Sequence, residues 1–458
     1  MNGTRKRRGY VAAAAASAGF ALVLTGCSGG GDDGGDGGST DNATSDCSLY
    51  DSYGDLSGKT VSIYAGITTP EDKPYTDSFK AFEDCTGVKV DYQADKSFEQ
   101  QILVQAQAKN TPDIAIVPQP GLLAQLVATG TVVAAPQAVA DNVEKFWDPA
   151  WKDYGSVDGT FYAAPSGGSV KSLVWYSPKQ FKDNGWEVPT TLDELQKLSD
   201  DIAATGIKPW CAGIASGDAT GWPITDWMED MMLRVASPES FDKWVSHEEA
   251  FNSADPTKAL DAVGDYLKNT KYVNGGFGDV TSIASTAFQD GGLPILDGQC
   301  ALHRQASFYA ANWPEGTKVG EDGDVFAFYL PGVKADDHPV LGAGEFVTAF
   351  SDRPEVQALQ TFWSTDTWAN IKAKASSEDT GGGWISANKG LDTANLVNPI
   401  DLLSAKILQD PNTVFRFDGS DRMPAAANSV FWKEATNWIT GQDTKSTLDK
   451  IEAAWPTS

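Results

Sequence analysis

The chain has 458 residues, of which 41% are hydrophobic and 21% charged, with a formal net charge of −27. Such a length exceeds one ordinary hydrophobic core and calls for two domains. The acidic excess argues against nucleic-acid binding, which needs clustered basic side chains, and against attraction to anionic lipid head groups.

Arg5, Lys6, Arg7 and Arg8 precede an uncharged, alanine-rich apolar run over residues 11–24. A basic segment, a short apolar segment and small residues at a cut form an export signal. The run is shorter than the ~20 residues that span a bilayer. Leu24-Thr25-Gly26-Cys27 resembles the bacterial lipobox, whose cysteine is lipidated and becomes the new N-terminus. Residues 1–26 are therefore expected to be a lipoprotein signal peptide and Cys27 the lipidation site. The protein would be anchored on the extracytoplasmic face of the cell membrane. Arg7-Arg8 also fits a twin-arginine signal, so both export routes stay open. Residues 27–46 are rich in Gly, Asp, Ser and Thr with no Lys or Arg. They form the lipidated tether, a disordered coil spanning about 25 Å.

The body opens with a β-branched strand over residues 59–65. Tyr75, Phe79 and Phe82 recur at helical spacing, and Gly87 stops that helix. A strand at 88–92 follows, then a helix through Phe98, Ile102 and Ala106, halted at Thr111-Pro112. The short apolar run at 113–117 reads as a strand buried on both faces. A helix at 122–129 completes an alternation that defines an α/β domain. Residues 161–165 and 172–176 are extended and joined by Ser166-Gly-Gly-Ser169, which reads as a crossing between lobes. Thr191-Leu-Asp-Glu194 is a capping box, and Leu195, Leu198 and Ile202 give its helix a buried face. Further helices are expected at 226–235, 256–269, 354–364, 431–440 and through Leu448 and Ile451. Residues 293–296 and 300–303 flank a turn. Strands are expected at 325–330 and 341–347, with a second crossing near 332–341. No internal repeat of 20–50 residues is present.

The three histidines, His247, His303 and His338, show no metal-ligand spacing, and no Cys-x-x-Cys occurs. No Gly-x-Ser-x-Gly elbow stands between an expected strand and helix, and no P-loop motif occurs, so no cofactor or metal is expected and no catalytic residue is assigned. What stands out is 15 Trp, 20 Phe and 13 Tyr. Trp210, Trp222, Trp227, Phe308 and Trp384 sit among glycines and polar residues. A pyranose offers C–H groups on one face and hydroxyls at its rim, so it suits aromatic faces bordered by carboxylates and amides. After Cys27, the cysteines Cys47, Cys85, Cys211 and Cys300 remain, and they allow three pairings.

Phe415-Arg-Phe-Asp-Gly-Ser-Asp-Arg-Met-Pro424, Phe431-Trp-Lys-Glu434 and Trp438 resemble the C-terminal part of alpha-glucoside-binding proteins of bacterial ABC importers. Gly221-Trp-Pro-x-Thr-Asp-Trp227, Trp244-Val-Ser-His-Glu248 and Leu302-His-Arg-Gln-Ala-Ser-Phe308 resemble them too. The similarity spans roughly residues 59–456. One departure is Arg422, where leucine is the more usual residue. The resemblance implies a two-lobed type II periplasmic-binding-protein fold with hinge crossings, closing on a solute. An N-lobe is expected from 47–165 and 333–370. A C-lobe is expected from 166–332 and 371–458, the latter holding the C-terminal helices. Pairing Cys47–Cys85 and Cys211–Cys300 keeps each disulfide within one lobe. The expected partners are an oligosaccharide such as maltose or trehalose and the membrane permease, with the receptor itself a monomer. The alternatives are an anchored glycan-binding or sensory protein without transport, and a glycosidase. The site residues expected between the lobes are Gln119, Trp222, Arg304, Glu345, Trp384, Asp418 and Asp421. Arg304 offers a planar fork for two hydroxyls or for an acid that also holds sugar. Trp222 and Trp384, beside glycines, offer stacking faces.

Overall fold

The computed structural model describes residues 47–456, apart from Pro70, Lys96 and the side chain of Asp218. The export signal, Cys27 and the tether lie outside the described residues.

β1 (Thr60–Ala65) runs between β2 (Lys89–Ala94) and β3 (Ile114–Val117), parallel to both. Parallel neighbours need a crossover, and helices supply it: Asp72–Ser78 and Lys80–Thr86 before β2, and Phe98–Gln107 before β3. The single helix expected through Tyr75, Phe79 and Phe82 is two short helices meeting at Phe79, yet all three rings stay buried. All four β3 residues are buried, because helices cover both faces of this sheet.

β4 (Ser156–Val157) and β5 (Thr160–Phe161) form a small hairpin. The remaining strands are β6 (Ala163–Val170), β7 (Leu173–Tyr176), β8 (Lys208–Trp210), β9 (Cys300–Arg304), β10 (Phe326–Tyr329), β11 (Pro339–Ala349) and β12 (Val414–Phe417). The first sheet has the order β12-β11-β3-β1-β2, with β6 also paired to β11. The second has the order β10-β7-β9-β8. Each sheet carries its own apolar core. Phe79, Phe82, Trp363 and Trp368 pack on one face of the first sheet, and Phe98, Leu123, Trp151 and Phe346 on the other. Trp175, Trp210, Trp227, Trp244 and Trp438 anchor the core of the second.

The chain passes between sheets at 171–172, again between β10 and β11, and a third time after β12. That third passage corrects the boundary expected at residue 370. The helix Asp366–Thr380 packs against Asp72–Ser78, Trp384, Ile385, Leu391 and Leu396 join the first lobe's core, and β12 pairs with β11. Residues 371–417 thus belong mainly to the first lobe. The chain then returns to the second through helices Ala425–Ile439 and Thr444–Glu452, which pack on each other and on Trp222–Val235 and Ala254–Leu267.

Both disulfides pair as expected, Cys47–Cys85 and Cys211–Cys300, with Cα–Cα distances of 5.3 and 5.8 Å. Each closes a loop within one lobe, a constraint that stabilises by about 4 kcal/mol on chain-entropy grounds. Among the described residues, no helix is long and apolar enough to cross a membrane.

Candidate functional site

A cavity of about 840 Å³ opens where the crossings meet, lined from both lobes. Its size suits a ligand of small-molecule dimensions. On the first-lobe wall, Gln119 ends the turn after β3 and begins the helix Pro120–Ala128; its Nε2 donates to Glu99 at 3.2 Å. Glu345 sits where the β6–β11 register shifts between Gly344 and Phe346. A bulge of this kind re-aims a side chain, and here the Glu345 carboxylate accepts the Tyr75 hydroxyl proton. Burial pushes the Glu345 carboxyl up, against the pull of Tyr75 and Lys372. Trp384 follows Gly381, Gly382 and Gly383, all at positive φ. A Cβ on Gly382 would stand 2.4 Å from Asp401 Oδ2, and Asp401 accepts the Gly383 N–H at 2.7 Å. Burial pushes Asp401 up to about 7 and Lys372 down to about 7.

On the second-lobe wall, Gly221 (φ 116°) starts the helix Trp222–Val235. A Cβ there would lie 2.1 Å from the Trp432 carbonyl oxygen, so only glycine lets these two tryptophan segments approach. Trp222 is half-buried, with Phe288 at 5.1 Å, Phe308 at 6.1 Å and the Lys171 ammonium 5.5 Å from its ring. Lys171 binds Asp226 (3.1 Å) and Asp418, and Asp418 also accepts from Ser420 and from the Asp421 N–H. Burial pushes the Asp418 carboxyl up, but Lys171 and these donors outweigh it and hold it at about 2. Asp421 is driven the other way, well above the usual carboxylate range, by burial and by the Asp418 charge. Burial likewise brings Asp226 to about 6 against the pull of Lys171.

Six of the seven expected residues line this cavity: Gln119, Trp222, Glu345, Trp384, Asp418 and Asp421. Arg304 does not. It ends β9 with its side chain wholly buried, donating to Asp230 (3.0 Å from Nε) and to Asp226 (3.3 Å from Nη1). Its fork is used by two helix carboxylates, and it reaches the cavity only through Asp226 and Lys171. Trp384 comes from the first lobe, not the second. Arg422 stands outside the cavity, 5.1 Å from the Tyr154 ring. Sequence reasoning missed Lys171, Asp401, Glu71, Glu99 and Trp432 as lining residues. Lys171 had a visible signal, being the lone charge in an extended run from 161 to 176. Asp401 had none, since it falls in a stretch with no recognised pattern.

Two α/β lobes joined by crossing segments around a solute-sized cavity define a type II periplasmic-binding-protein fold. Residues 65–362 match the profile of the bacterial extracellular solute-binding proteins, and the chain belongs to that family. It is therefore an extracytoplasmic solute-binding protein of the kind that serves ABC importers, and not an enzyme. It is 37% identical over 416 residues to the alpha-glucosides-binding periplasmic protein AglE of Rhizobium meliloti, covering 88% of each chain. It is 35% identical over 408 residues to the osmoprotective compounds-binding protein GgtB of Synechocystis sp., covering 88% of this chain and 94% of that one. A solved chitin oligosaccharide binding protein superposes with a TM-score of 0.70 at 16% identity, covering 86% of this chain and 97% of the other. That last likeness speaks to the fold alone.

Proposed function

We propose that this protein is the capture receptor of a carbohydrate ABC importer, binding an α-glucoside of the maltose or trehalose type between its lobes. The observation that carries this reading is the wall chemistry. Trp222, Phe308 and Trp432 offer apolar faces, while Glu99, Gln119, Glu345 and Asp421 offer acceptors and a donor around them. Ring faces bordered by hydrogen-bonding groups match a sugar, and the resemblance to AglE supports an α-glucoside. Gln119 and Glu345 act from the first lobe with Trp384. Trp222 acts from the second, with Asp418 and Asp421 at the third crossing. Arg304 supports the site from beneath by fixing Asp226.

Ligand that touches both lobes favours the closed form, which the permease then recognises. Cys27 carries the lipid that keeps the receptor, a monomer, at the outer face of the membrane. Cys27→Ser should leave it unlipidated and shed. A second reading, an osmoprotective solute, is supported by the resemblance to GgtB. Calorimetry with glucose, maltose, trehalose, sucrose and maltotriose, beside glycine betaine, separates the two. Micromolar or tighter binding of a glucoside, without hydrolysis, is the expected result; binding of betaine alone would reject the sugar.

A further inference from the structure

We infer that the cavity prefers a cationic saccharide: it holds a sugar bearing a protonated amine, seated at Asp421 and Glu99, more tightly than the neutral parent, and turns away a carboxylated one. This rests on the saccharide reading above and deepens it by naming the charge of the ligand. Among the described residues, Glu71, Glu99, Glu345, Asp401, Asp418 and Asp421 line the cavity, and Lys171 is the one cation that does. Lys171 is already taken, bound to Asp418 and, at 3.1 Å, to Asp226. No arginine or histidine of the described residues joins the lining. An anionic solute therefore meets no free counter-charge there and adds its own charge to a crowd of carboxyls.

The seat is the corner where the third crossing meets the helix Pro120–Ala128. A Cβ on Gly121 would stand 2.8 Å from the Asp421 carbonyl oxygen, so the crossing lies directly on the first turn of that helix. Gln119, just before the helix, donates to Glu99 at 3.2 Å. One acid thus comes from the crossing and the other from the first lobe, with Gln119 beside both, and all three line the cavity. Asp418 is satisfied by Lys171, Ser420 and the Asp421 N–H. Asp421 is not: half-buried in the lining, its carboxylate accepts no hydrogen bond from any described residue. Glu99 is exposed, and Gln119 is its one hydrogen-bond partner among the described residues.

Burial and the charges of Asp418, Asp226 and Glu99 hold a proton on Asp421 against the pull of Lys171. The corner lacks a positive charge, and a ligand can bring one. A sugar hydroxyl supplies a hydrogen bond but no charge. An ammonium supplies both: the Asp421 proton leaves to solvent, and a charge-assisted bond, about twice as strong as a neutral one, takes its place. The ammonium is close in size to the hydroxyl it replaces, so the half-buried Trp222 and Trp432 can hold the sugar rings alike.

The test is calorimetry near neutral pH with maltose, trehalose, and derivatives of each in which every hydroxyl in turn is replaced by an amine. A carboxylate at the primary carbon is compared with the carboxamide of the same size. For the disaccharide that binds, at least one amino derivative should bind about tenfold more tightly than the parent, and the carboxylate about tenfold more weakly than the carboxamide. Asp421→Asn should abolish the amine's advantage, so that parent and amino derivative bind it alike. If every amino derivative binds no better than its parent, or the carboxylate as well as the carboxamide, the charge preference is overturned and the receptor reading stands. An advantage that survives in both Asp421→Asn and Glu99→Gln overturns the seat. If neither disaccharide nor any derivative binds, both readings fall. Where Asp421→Asn does not fold, Glu99→Gln should lower the same ratio, and the wild-type ratios decide the preference.

Discussion

The two walls of the cleft use the same residue types to opposite ends. On the second-lobe side, Arg304, Asp226, Lys171 and Asp418 alternate in sign and bind one another in a buried chain. On the first-lobe side, Asp401 and Lys372 are equally buried and Glu345 half-buried, yet among the described residues no ion pair within 4 Å joins Lys372 to either acid. Lys372 rests on aromatic faces instead, 4.2 Å from the Tyr75 centroid. Burial without a bound counter-charge moves a group toward neutrality, whereas a bound counter-charge holds it ionised. Asp401 and Lys372 accordingly sit at about 7, and Asp418 at about 2. One wall is an ionic frame that keeps Asp418 charged, although burial still carries its paired Asp226 to about 6. The other changes its charge near neutral pH.

Breaking the frame should have the largest effect. Arg304→Met removes a buried cation and leaves two buried acids to share what remains, Asp230 with Arg234 (2.8 Å) and Asp226 with Lys171 (3.1 Å). Losing one partner of a buried pair costs about 3–5 kcal/mol, so urea unfolding should show a loss of that order. Were Arg304→Met as stable as wild type and merely unable to bind sugar, Arg304 would belong to the site and the contrast between walls would collapse.

Asp401 on one wall and Asp418 on the other should also answer pH with opposite signs. Asp401 has a folded pKa raised above its unfolded value near 4. Its ionisation favours unfolding, so stability falls as pH rises from about 4 through about 7, by an amount on the order of 4 kcal/mol. Asp418 has a depressed folded pKa. It contributes stability above about pH 4, and this is lost as pH falls toward about 2. Unfolding measured from pH 5 to 8 should show Asp401→Asn gaining on wild type as pH rises. A constant difference between the two would remove the titrating wall.

What the sequence disclosed follows from how each element is buried. β3 and the Thr191-capped helix were legible because a short apolar run and a one-sided stripe have few other readings. The Thr191 hydroxyl does accept the Glu194 N–H, at 3.2 Å. The helix Trp222–Val235 was read only from 226, because it is buried nearly all round and its acids and Arg234 blur any stripe. The helix Asp366–Thr380 was not read at all: its buried face mixes Trp368 and Ala373 with Lys372 and Ser376. That omission displaced residues 371–417 to the wrong lobe, and Trp384 with them. Arg304 could be placed at the end of a strand. Its partners, 74 and 78 residues away on a helix, have no local signature.

The aromatic part of the contrast is sharpened by Trp222. Half-buried on the ionic wall, it has a face to offer, so Trp222→Ala should weaken saccharide binding by about 2 kcal/mol, as at a binding hot spot. Melting of the free protein should move little. A core tryptophan would instead cost about 3–5 kcal/mol of stability, and that result would reassign Trp222 to packing.

The smallest expected effect concerns Gln119, which tests whether the walls meet over the ligand. Its side chain does not cap the helix it precedes, and its one hydrogen bond, to Glu99, is exposed. Gln119→Ala therefore should leave unfolding unchanged. In the closed form Gln119 would add one hydrogen bond from the first lobe to a sugar already resting on Trp222. Losing it should cost about 0.5–1.5 kcal/mol, roughly three- to tenfold in affinity. The loss should fall on the dissociation rate, because encounter with the open cleft does not use the bond. Stopped-flow binding separates the two rates. A slower association with unchanged dissociation would mean that Gln119 acts before closure, and that the sugar first docks on the first-lobe wall and not on the aromatic faces opposite.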